Sequence, residues 1–392
     1  MTLATVRDGV CRLPFKAWCH QRRSLNPHSH LVFTVNNLAC FHKYIYMKRR
    51  SILISSSIFL LSLVVTVGCN NSPTSQPKAT VSPQPGDVKL GFSAWPGWFP
   101  WQVAQEKEIF GRSKVGVNLK WFDSYVDSIT ALNNGSIDAN SQTLADTISS
   151  IASGNDLVVV LTNDNSTGND KIIISEQIKS VKDLKGKKVA AEEGTVDHFL
   201  LVQALKRVNM TMKDIQFVPL ETSKAADAFV AGQVDAAAVF APFTTKALKR
   251  PGSRELFSSK DFPGSISDHL VFTRKFVKEH PDKVQAVVDS WFATLGHINR
   301  GLYRDEADQI MAKRAGVSMA EYKDYLDGTK IFSLEDNLEA FKPGTDTTSL
   351  PRAAAEANKF LFENKLIKTQ VDVSKIFDDR FVKAYAAKTR GK

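Results

Sequence analysis

Short apolar runs recur along most of this chain, and amphipathic stretches separate them. Five of these runs predict buried β-strands, because they are short, aliphatic and bounded by polar residues. They span residues 156–162, 171–175, 188–191, 216–219 and 236–240. From about His280 onward the periodicity is helical, and Pro281 to Ile298 is its strongest amphipathic segment. Alternating strands and helices indicate parallel α/β units. Residues 87–392, which we call the body, are long enough for two lobes.

The most distinctive stretch is an aromatic turn at residues 95–101, which contains three of the six tryptophans. An alternating run at residues 88–92 precedes it, and a helix is expected to begin near Pro100, where proline is tolerated. In open α/β sheets, such strand-to-helix turns lie where ligands bind. We therefore expect Trp95 and Trp98 to offer an aromatic wall to a small solute. The alternative is that these rings cap a hydrophobic core.

Two similar segments support a division into two lobes. Residues 135–139 and 232–236 each consist of Gly, a polar residue, Ile or Val, Asp and Ala, and each follows an apolar-periodic helix. Glycine just after a helix is a common C-terminal cap. We therefore predict one equivalent unit in each lobe, in which a helix leads through glycine into a strand.

The positive charge of the chain is concentrated near its beginning. The whole sequence carries a formal charge of +10. Residues 1–68 contain nine Lys or Arg residues and one acid, which gives +8, so the remainder carries +2. The basic isoelectric point therefore gives no reason to expect nucleic-acid binding, because the body has no dense basic stripe.

Residues 47–69 resemble a bacterial lipoprotein signal peptide. A basic start at residues 47–50 is followed by an uncharged run to Gly68 and then by Cys69. The resemblance implies cleavage after residue 68, a lipid on Cys69 and a periplasmic location at the inner membrane. The alternative is an uncleaved membrane anchor. Residues 69–86 are expected to combine this cysteine with a Pro/Ser/Thr-rich tether, and residues 1–46 to be a start-site artefact or a disordered extension.

The body resembles the solute-binding proteins of ABC importers, specifically the nitrate/sulfonate/taurine-type family. The segment Val181 to Val189 and the two Gly-x-Ile/Val-Asp-Ala motifs carry this resemblance. It implies a type II periplasmic-binding-protein fold, in which two α/β lobes are joined by two crossovers with a ligand cleft between them. The expected crossovers lie at residues 164–170 and near residues 267–273. Lobe 1 is expected to comprise residues 87–165 and 272–392, and lobe 2 residues 166–271.

Three stretches resemble the branch of this family that is associated with urea carboxylase and guanidine uptake. They are the aromatic turn, residues 122–129 and residues 164–170. The match is imperfect, because Ser124 interrupts the second stretch and Thr167 replaces an Asn in the third. The resemblance implies guanidinium as the first-choice solute, an ABC permease and its ATPase subunit as partners, and a monomer. Taurine or another alkanesulfonate, nitrate and bicarbonate are the alternative solutes.

The loops expected at the cleft contain five acids and no lysine or arginine. Aromatic faces and carboxylates are the groups that bind a small planar cation. Asp146 and Asp197 could instead cap helices, and Asp164 could hold a turn. An anion would instead use the helix N-terminus predicted at Gly194-Thr195. The candidate ligand contacts are Trp95, Trp98, Thr143, Asp146, Asp164, Asn165, Glu193, Asp197 and Phe240.

Enzyme classes fit this sequence poorly. It contains no Gly-x-Ser-x-Gly elbow, no Walker loop and no HExxH zinc motif. Thiamine-pyrimidine synthases, which are similar to this family, carry a cysteine-rich iron motif, whereas this chain has no cysteine beyond Cys69. We therefore expect neither catalysis nor a cofactor nor a metal. A ligand-sensing lipoprotein that takes no part in transport is a further alternative.

Overall fold

The computed structural model describes residue 84 and residues 86–390. The predictions for residues 1–83, among them the signal peptide and the lipidated Cys69, lie outside the described residues. Within the described part of the chain, no helix is both long and apolar enough to cross a membrane.

Strands and helices alternate through most of the body, and helices predominate after residue 273. The strands are β1 (Val88–Phe92), β2 (Val117–Trp121), β3 (Ala139–Thr143), β4 (Leu157–Ser166), β5 (Asp170–Ile174), β6 (Lys188–Ala191), β7 (Gln216–Pro219), β8 (Ala236–Phe240), β9 (Arg254–Ser258), β10 (Ser267–Thr273) and β11 (Thr329–Ile331). The helices are α1 (Pro100–Glu106), α2 (Ile109–Arg112), α3 (Tyr125–Asn133), α4 (Leu144–Ala152), α5 (Val196–Lys206), α6 (Thr222–Val230), α7 (Phe243–Leu248), α8 (Arg274–Glu279), α9 (Pro281–Ile298), α10 (Gly301–Ala315), α11 (Met319–Asp327), α12 (Leu334–Ala340), α13 (Leu350–Glu363) and α14 (Arg380–Arg390).

The strands form two sheets, each of which is the centre of one lobe. The order in lobe 1 is β11-β4-β10-β3-β1-β2, and the order in lobe 2 is β7-β6-β8-β5-β9. In lobe 1, β1 is parallel to β2 and β3, and in lobe 2, β6 is parallel to β7 and β8. The antiparallel strands β4, β10 and β5 carry the chain toward and away from the junction of the lobes. Each lobe is thus a mixed α/β unit.

The apolar runs of the sequence predict the elements well. The predicted strands are confirmed as β4 to β8, and β6, β7 and β8 have the predicted bounds. The long amphipathic helix is confirmed as α9, and α1 begins at Pro100 as expected. β4 continues to Ser166, beyond its predicted end, because polar residues there pair with β10 and β11 inside the molecule.

The two Gly-x-Ile/Val-Asp-Ala segments occupy equivalent positions in the two lobes. Gly135 and Gly232 follow α3 and α6 and have positive φ angles of 74° and 72°, which glycine adopts readily. Oδ2 of Asp138 accepts a hydrogen bond from the Lys89 backbone at 2.9 Å. Oδ2 of Asp235 accepts one from the Lys188 backbone at 2.9 Å. Each aspartate therefore ties the end of its loop to the neighbouring parallel strand, β1 or β6.

The chain passes between the lobes at residues 167–169 and 259–266, which we call the hinge. The first passage falls within the predicted crossover. The second does not, because residues 267–273 form β10, which pairs with β3 and β4 over its length. The chain has therefore returned to lobe 1 before Ser267, and the expected limit of lobe 2 at residue 271 falls inside a lobe 1 strand. Polar residues at the start of β10 are buried here because neighbouring strands satisfy them; His269, for example, contacts Thr162 at 3.2 Å.

Side-chain hydrogen bonds hold the hinge together. The hydroxyl groups of Ser166 and Ser259 are 2.7 Å apart, and the Gly168 backbone donates to Ser259 Oγ at 2.8 Å. The Asn169 amide donates to the carbonyl of Tyr325 in α11 at 2.6 Å. The Tyr325 hydroxyl in turn donates to Thr245 Oγ1 in α7 of lobe 2 at 2.7 Å. The segment from α11 to β11 therefore braces both the hinge and the contact between the lobes.

Candidate ligand-binding cleft

Four aromatic side chains from both lobes line a narrow cleft, and we call them the aromatic box. Trp95 and Trp98 belong to the aromatic turn, Tyr125 begins α3, and Phe240 ends β8. The Phe240 ring lies 6.2 Å from Trp95 and 6.0 Å from Tyr125, and Trp98 lies 5.4 Å from Tyr125. The rings leave little free space between them, about 10 Å³ for the centre of a water-sized molecule. Because Phe240 comes from lobe 2, the box forms only when the lobes meet.

The third tryptophan of the turn has a structural role. Trp101 is fully buried, and its ring lies 4.6 Å from that of Trp291 in α9. Its indole N–H donates to Ser141 Oγ at 2.9 Å. Both expectations for the aromatic turn therefore apply, each to different residues: Trp95 and Trp98 line the cleft, and Trp101 belongs to the core.

Two fully buried carboxyl groups face each other where β4 and β10 pair. Asp164 and Asp268 are directly opposite in the register, and each carboxyl group acts on the pKa of the other. Oδ1 of Asp164 accepts the indole N–H of Trp95 at 2.8 Å. Within the described part of the chain, no donor reaches Oδ2 of either aspartate. We call Asp164 and Asp268 the carboxyl pair.

A third buried acid, Asp170, stands at the start of β5, just after the first hinge passage. It lines the cleft together with Asp268 and the aromatic box. Its Oδ2 has no hydrogen-bond donor among the described residues. An unpaired carboxylate oxygen in a buried site is costly, so a donor-rich ligand would stabilise this group.

Asp146 of lobe 1 occupies the position that an anionic ligand would otherwise take. It lies in the first turn of α4, where Thr143 is the N-cap and accepts from the Asp146 backbone at 3.0 Å. Oδ2 of Asp146 accepts from the hydroxyl groups of Tyr125 and Thr143, each at 2.7 Å. The backbone N–H of Val196, the first residue of α5 in lobe 2, also acts on this carboxyl group and offsets part of the rise in its pKa. A carboxyl group of the protein thus faces the positive end of that helix.

The acids on the lobe 2 side are placed differently from the prediction. Asp197 is fully buried in the first turn of α5, and Thr222 Oγ1 donates to its Oδ2. Glu192 lines the mouth of the cleft, whereas Glu193 is exposed and does not. The prediction therefore selected the wrong one of two adjacent glutamates. Sequence alternation does not fix which side chain faces inward once β6 has ended at Ala191.

Two other candidates have partners within the protein. The Asn165 amide donates to the Ile266 carbonyl at 2.7 Å, so its side chain holds the hinge. Thr143 lines the cleft, but its hydroxyl is already engaged with Asp146. Phe240, Trp95 and Trp98 line the cleft, and Asp164 contacts it indirectly, because it accepts a hydrogen bond from Trp95 and lies opposite Asp268, which both line the cleft.

Burial and mutual repulsion keep these acids from ionising readily. Burial raises the pKa of Asp146 to about 6, and burial together with neighbouring carboxylates raises the pKa values of Asp170 and Glu192 to about 7. The same causes hold the pKa values of the carboxyl pair and of Asp197 well above the usual range. The residues that line the two openings of the cleft include no lysine, arginine or histidine. These buried acids therefore lack a countercharge in the lining, and a bound cation would favour their ionised form.

Sequence reasoning missed Tyr125, Asp170 and Asp268 as site residues. Tyr125 and Asp170 lie within the stretches 122–129 and 164–170, so the signal was present but was not assigned to side chains. Asp268 gave no comparable signal, because its strand was expected to be a crossover. Among the described residues, no group of three or more His, Cys, Asp or Glu side chains is arranged to hold a metal ion. The arrangement suits an organic cation with several N–H donors.

Two α/β lobes around a hinged cleft define a periplasmic-binding-protein fold, and solved structures with this fold are similar to the chain. The alkanesulfonate-binding protein SsuA from Xanthomonas axonopodis pv. citri, bound to MOPS, has a TM-score of 0.63 at 20% identity and covers 76% of this chain and 100% of its own. The periplasmic aliphatic sulphonate binding protein SsuA from Escherichia coli has a TM-score of 0.61 at 26% identity and covers 75% and 92%. The expected fold class is therefore confirmed.

The sequence profile of the NMT1-like family matches residues 82–316, and the chain belongs to that family. A protein of Escherichia coli (strain K12) that is named for aliphatic sulfonate binding is 28% identical over 294 residues, which cover 74% of this chain and 88% of that protein. The expected relationship to the nitrate, sulfonate and taurine binders is confirmed at this level. The relative is named as a binding protein, in agreement with the expectation that this chain is not an enzyme. The resemblance to the guanidine branch stays a prediction.

Proposed function

We propose that this protein is the extracytoplasmic solute-binding component of an ABC importer and that its cleft captures a small planar nitrogenous cation, with guanidinium as first choice. The solute passes to a membrane permease, which an ATPase subunit drives. The observation that carries the choice of a cation is the charge of the cleft: buried carboxyl groups with unpaired oxygens and no basic residue in the lining.

The contact between Asp146 and α5 supports the same choice. A helix N-terminus attracts anions, and in this cleft the N–H of Val196 faces the carboxyl group of Asp146 and offsets part of the rise in its pKa that burial causes. An anionic solute at this place would have to displace that carboxyl group and would make the ionisation of Asp170 and Glu192 still less favourable. A cation would instead favour the ionised form of these acids.

The aromatic box and the carboxylates match the two kinds of surface on guanidinium. A flat cation packs its face against an indole ring, which contributes about 0.5–2 kcal/mol depending on desolvation. Its N–H groups, which lie in the plane, reach carboxylate oxygens, and hydrogen bonds to charged groups contribute about 1.5–3 kcal/mol each. Two or three such bonds together are sufficient for micromolar binding, about 8 kcal/mol, if the cleft is preorganised.

The second candidate is an anionic solute such as taurine, another alkanesulfonate or nitrate. The name of the sulfonate-binding relative from Escherichia coli favours it. Thermal unfolding of the purified protein separates the two candidates. We expect millimolar guanidinium to raise the melting temperature relative to sodium at equal ionic strength. At about 100 times the dissociation constant the stabilisation is about 2.7 kcal/mol.

Urea is the matched control in this assay, because it is planar and similar in size to guanidinium but uncharged. We expect urea, taurine and nitrate to leave the melting temperature unchanged at the same concentration. An increase with taurine or nitrate, and none with guanidinium, would favour the anionic candidate.

The proposal also covers the N-terminal segment. A monomer would be held at the periplasmic face of the inner membrane through a lipid on Cys69, with residues 70–86 as the tether. In cells that express the gene from Met47, we expect fatty-acid labelling of the native protein and no labelling of a Cys69→Ser variant. Persistent labelling of the variant would rule out Cys69 as the lipidated residue.

A further inference from the structure

The carboxyl pair has a property that a simple negative site does not need. Asp164 and Asp268 are fully buried and lie directly opposite each other on β4 and β10, and Oδ2 of each has no donor among the described residues. Two carboxyl groups that face each other in a buried site cannot both be ionised, because each negative charge disfavours the other and burial disfavours both. The arrangement therefore implies one bound proton that the two groups share.

The surroundings indicate which member of the pair holds the proton. The indole N–H of Trp95 donates to Oδ1 of Asp164 at 2.8 Å, which stabilises negative charge on that residue. No comparable donor among the described residues reaches the unpaired oxygen Oδ2 of Asp268. The proton therefore belongs mainly to Asp268, which donates it to Asp164.

No nearby group removes the need for this proton. From β10, His269 is buried, and its pKa is lowered by that burial, so it is neutral. Lys171, which follows Asp170 in the sequence, is ion-paired with Glu255 at 2.5 Å, so its charge already has a partner. The other titratable groups that act on the pair, or on the acids around it, include Tyr125 and Asp127 from α3, Asp146 from α4, Asp170 from β5, Glu192 after β6, Asp197 from α5 and Glu221 before α6.

We infer that a cationic solute binds by displacing the proton of the carboxyl pair, so that each binding event releases a proton to the solvent. This inference rests on the proposed function and names the group that anchors the solute. Asp268 loses its proton, the cation takes the place of that proton between Asp164 and Asp268, and the total charge within the cleft is unchanged. One positive charge replaces another, and the buried site never holds two unpaired carboxylates.

The charge balance predicts the direction of the pH dependence. Protons and the solute compete for the same oxygens, so the affinity for a cation must increase as the pH increases. If one proton is released per cation, the dissociation constant falls about tenfold per pH unit while the pair is protonated. A guanidinium group stays charged throughout the accessible range, since its pKa lies above about 12. The change therefore reports on the protein alone.

Titration calorimetry in two buffers at about pH 7 tests the inference. Phosphate and Tris have very different enthalpies of ionisation, so the difference between the two observed enthalpies gives the number of protons released. We expect about one proton per guanidinium in the native protein. The Asp268→Asn variant keeps a donor to Asp164, because its amide nitrogen replaces the acid O–H, and we expect its proton release to fall close to zero.

Asp305→Asn is the matched control, since Asp305 is an exposed acid on α10, and it should release as many protons as the native protein. If Asp268→Asn does not bind guanidinium, the native protein still decides, through its proton count and the dissociation constant between about pH 5 and about pH 8. Binding with equal enthalpies in both buffers and a constant affinity would overturn the inference and leave the proposed function intact. Absence of guanidinium binding at every pH would overturn both.

Discussion

At the scale of single residues, the site depends on how closely Asp164 can approach the aromatic turn. Its carboxyl group lies against Gly97, where a side-chain carbon would overlap it, and bonds to Trp95 two residues earlier. Packing therefore requires glycine at this position, whereas other glycines have open space where a side-chain carbon would lie. The arrangement fixes the carboxylate and the indole in one relative orientation, which is the preorganisation that tight binding needs.

A methyl group at Gly97 should therefore impair binding without removing any proposed contact residue. In Gly97→Ala the added carbon would displace the Asp164 carboxyl from Trp95, and we expect guanidinium affinity to fall at least about tenfold, the equivalent of about 1.4 kcal/mol. Gly111→Ala is the matched control, because nothing lies within 4 Å of a side-chain carbon there. Calorimetry measures both variants. Unchanged affinity in Gly97→Ala would mean that Asp164 does not anchor the solute.

At the scale of elements, the first turns of α4 and α5 decide whether the cleft prefers an anion or a cation. The first turn of α4 presents Asp146 toward Val196 at the start of α5, so a carboxyl group of lobe 1 faces a helix N-terminus of lobe 2. From its sequence, the start of α5 was a possible anion anchor. Local sequence patterns do not encode contacts between lobes, so they do not reveal an acid from the other lobe at this place.

Removal of this carboxylate should change the charge preference of the cleft. In Asp146→Ala the N–H groups at the start of α5 become free, so we expect taurine or sulfate affinity to increase by about tenfold and guanidinium affinity to decrease. Asp282→Ala removes an exposed first-turn acid from α9 and should change neither. Calorimetric titration of each anion measures the effect. A variant with native affinities for both kinds of solute would show that Asp146 does not govern the preference.

The elements also show which part of the architecture is readable from the sequence. β6, β8 and α9 follow from hydrophobic periodicity because they are buried on the faces that their apolar residues mark, and β7 follows although it is only half-buried. β10 and the end of β4 do not, since Asp164, Ser267 and Asp268 are polar residues buried in a sheet. These polar residues can be buried because the two strands pair with each other at the hinge. The strands are far apart in the sequence, so their pairing leaves no periodic pattern in it. The missed site residue Asp268 lies in this region.

At the scale of the whole molecule, the buried acids of the cleft make the stability of the folded protein depend on pH. Burial keeps Asp146, Asp170 and Glu192 protonated to about pH 6 or pH 7, well above their ordinary pKa values of 3.8 to 4.5. The folded protein therefore binds more protons than the unfolded chain over that range, and its free energy of unfolding decreases as the pH increases. His269 acts in the opposite sense only below its ordinary pKa of 6.5.

Denaturation at a series of pH values should show this effect. Between about pH 6.5 and about pH 8 we expect the free energy of unfolding to decrease without solute, because the folded protein still holds protons on buried acids that are already ionised in the unfolded chain. Saturating guanidinium should remove most of the decrease, since the cation supplies the missing charge. The assay is urea denaturation followed by circular dichroism. An increase in stability over this range would mean that the acids are ionised without penalty, contrary to their burial.

The central claim is that the cleft selects a cation, and titration calorimetry of the purified protein with guanidinium and with taurine tests it most directly. Both titrations are run at equal ionic strength and about pH 7.5, so that screening is the same for each solute. The account predicts micromolar binding of guanidinium, about 8 kcal/mol, and no measurable heat from taurine. Micromolar binding of taurine with no heat from guanidinium would contradict it.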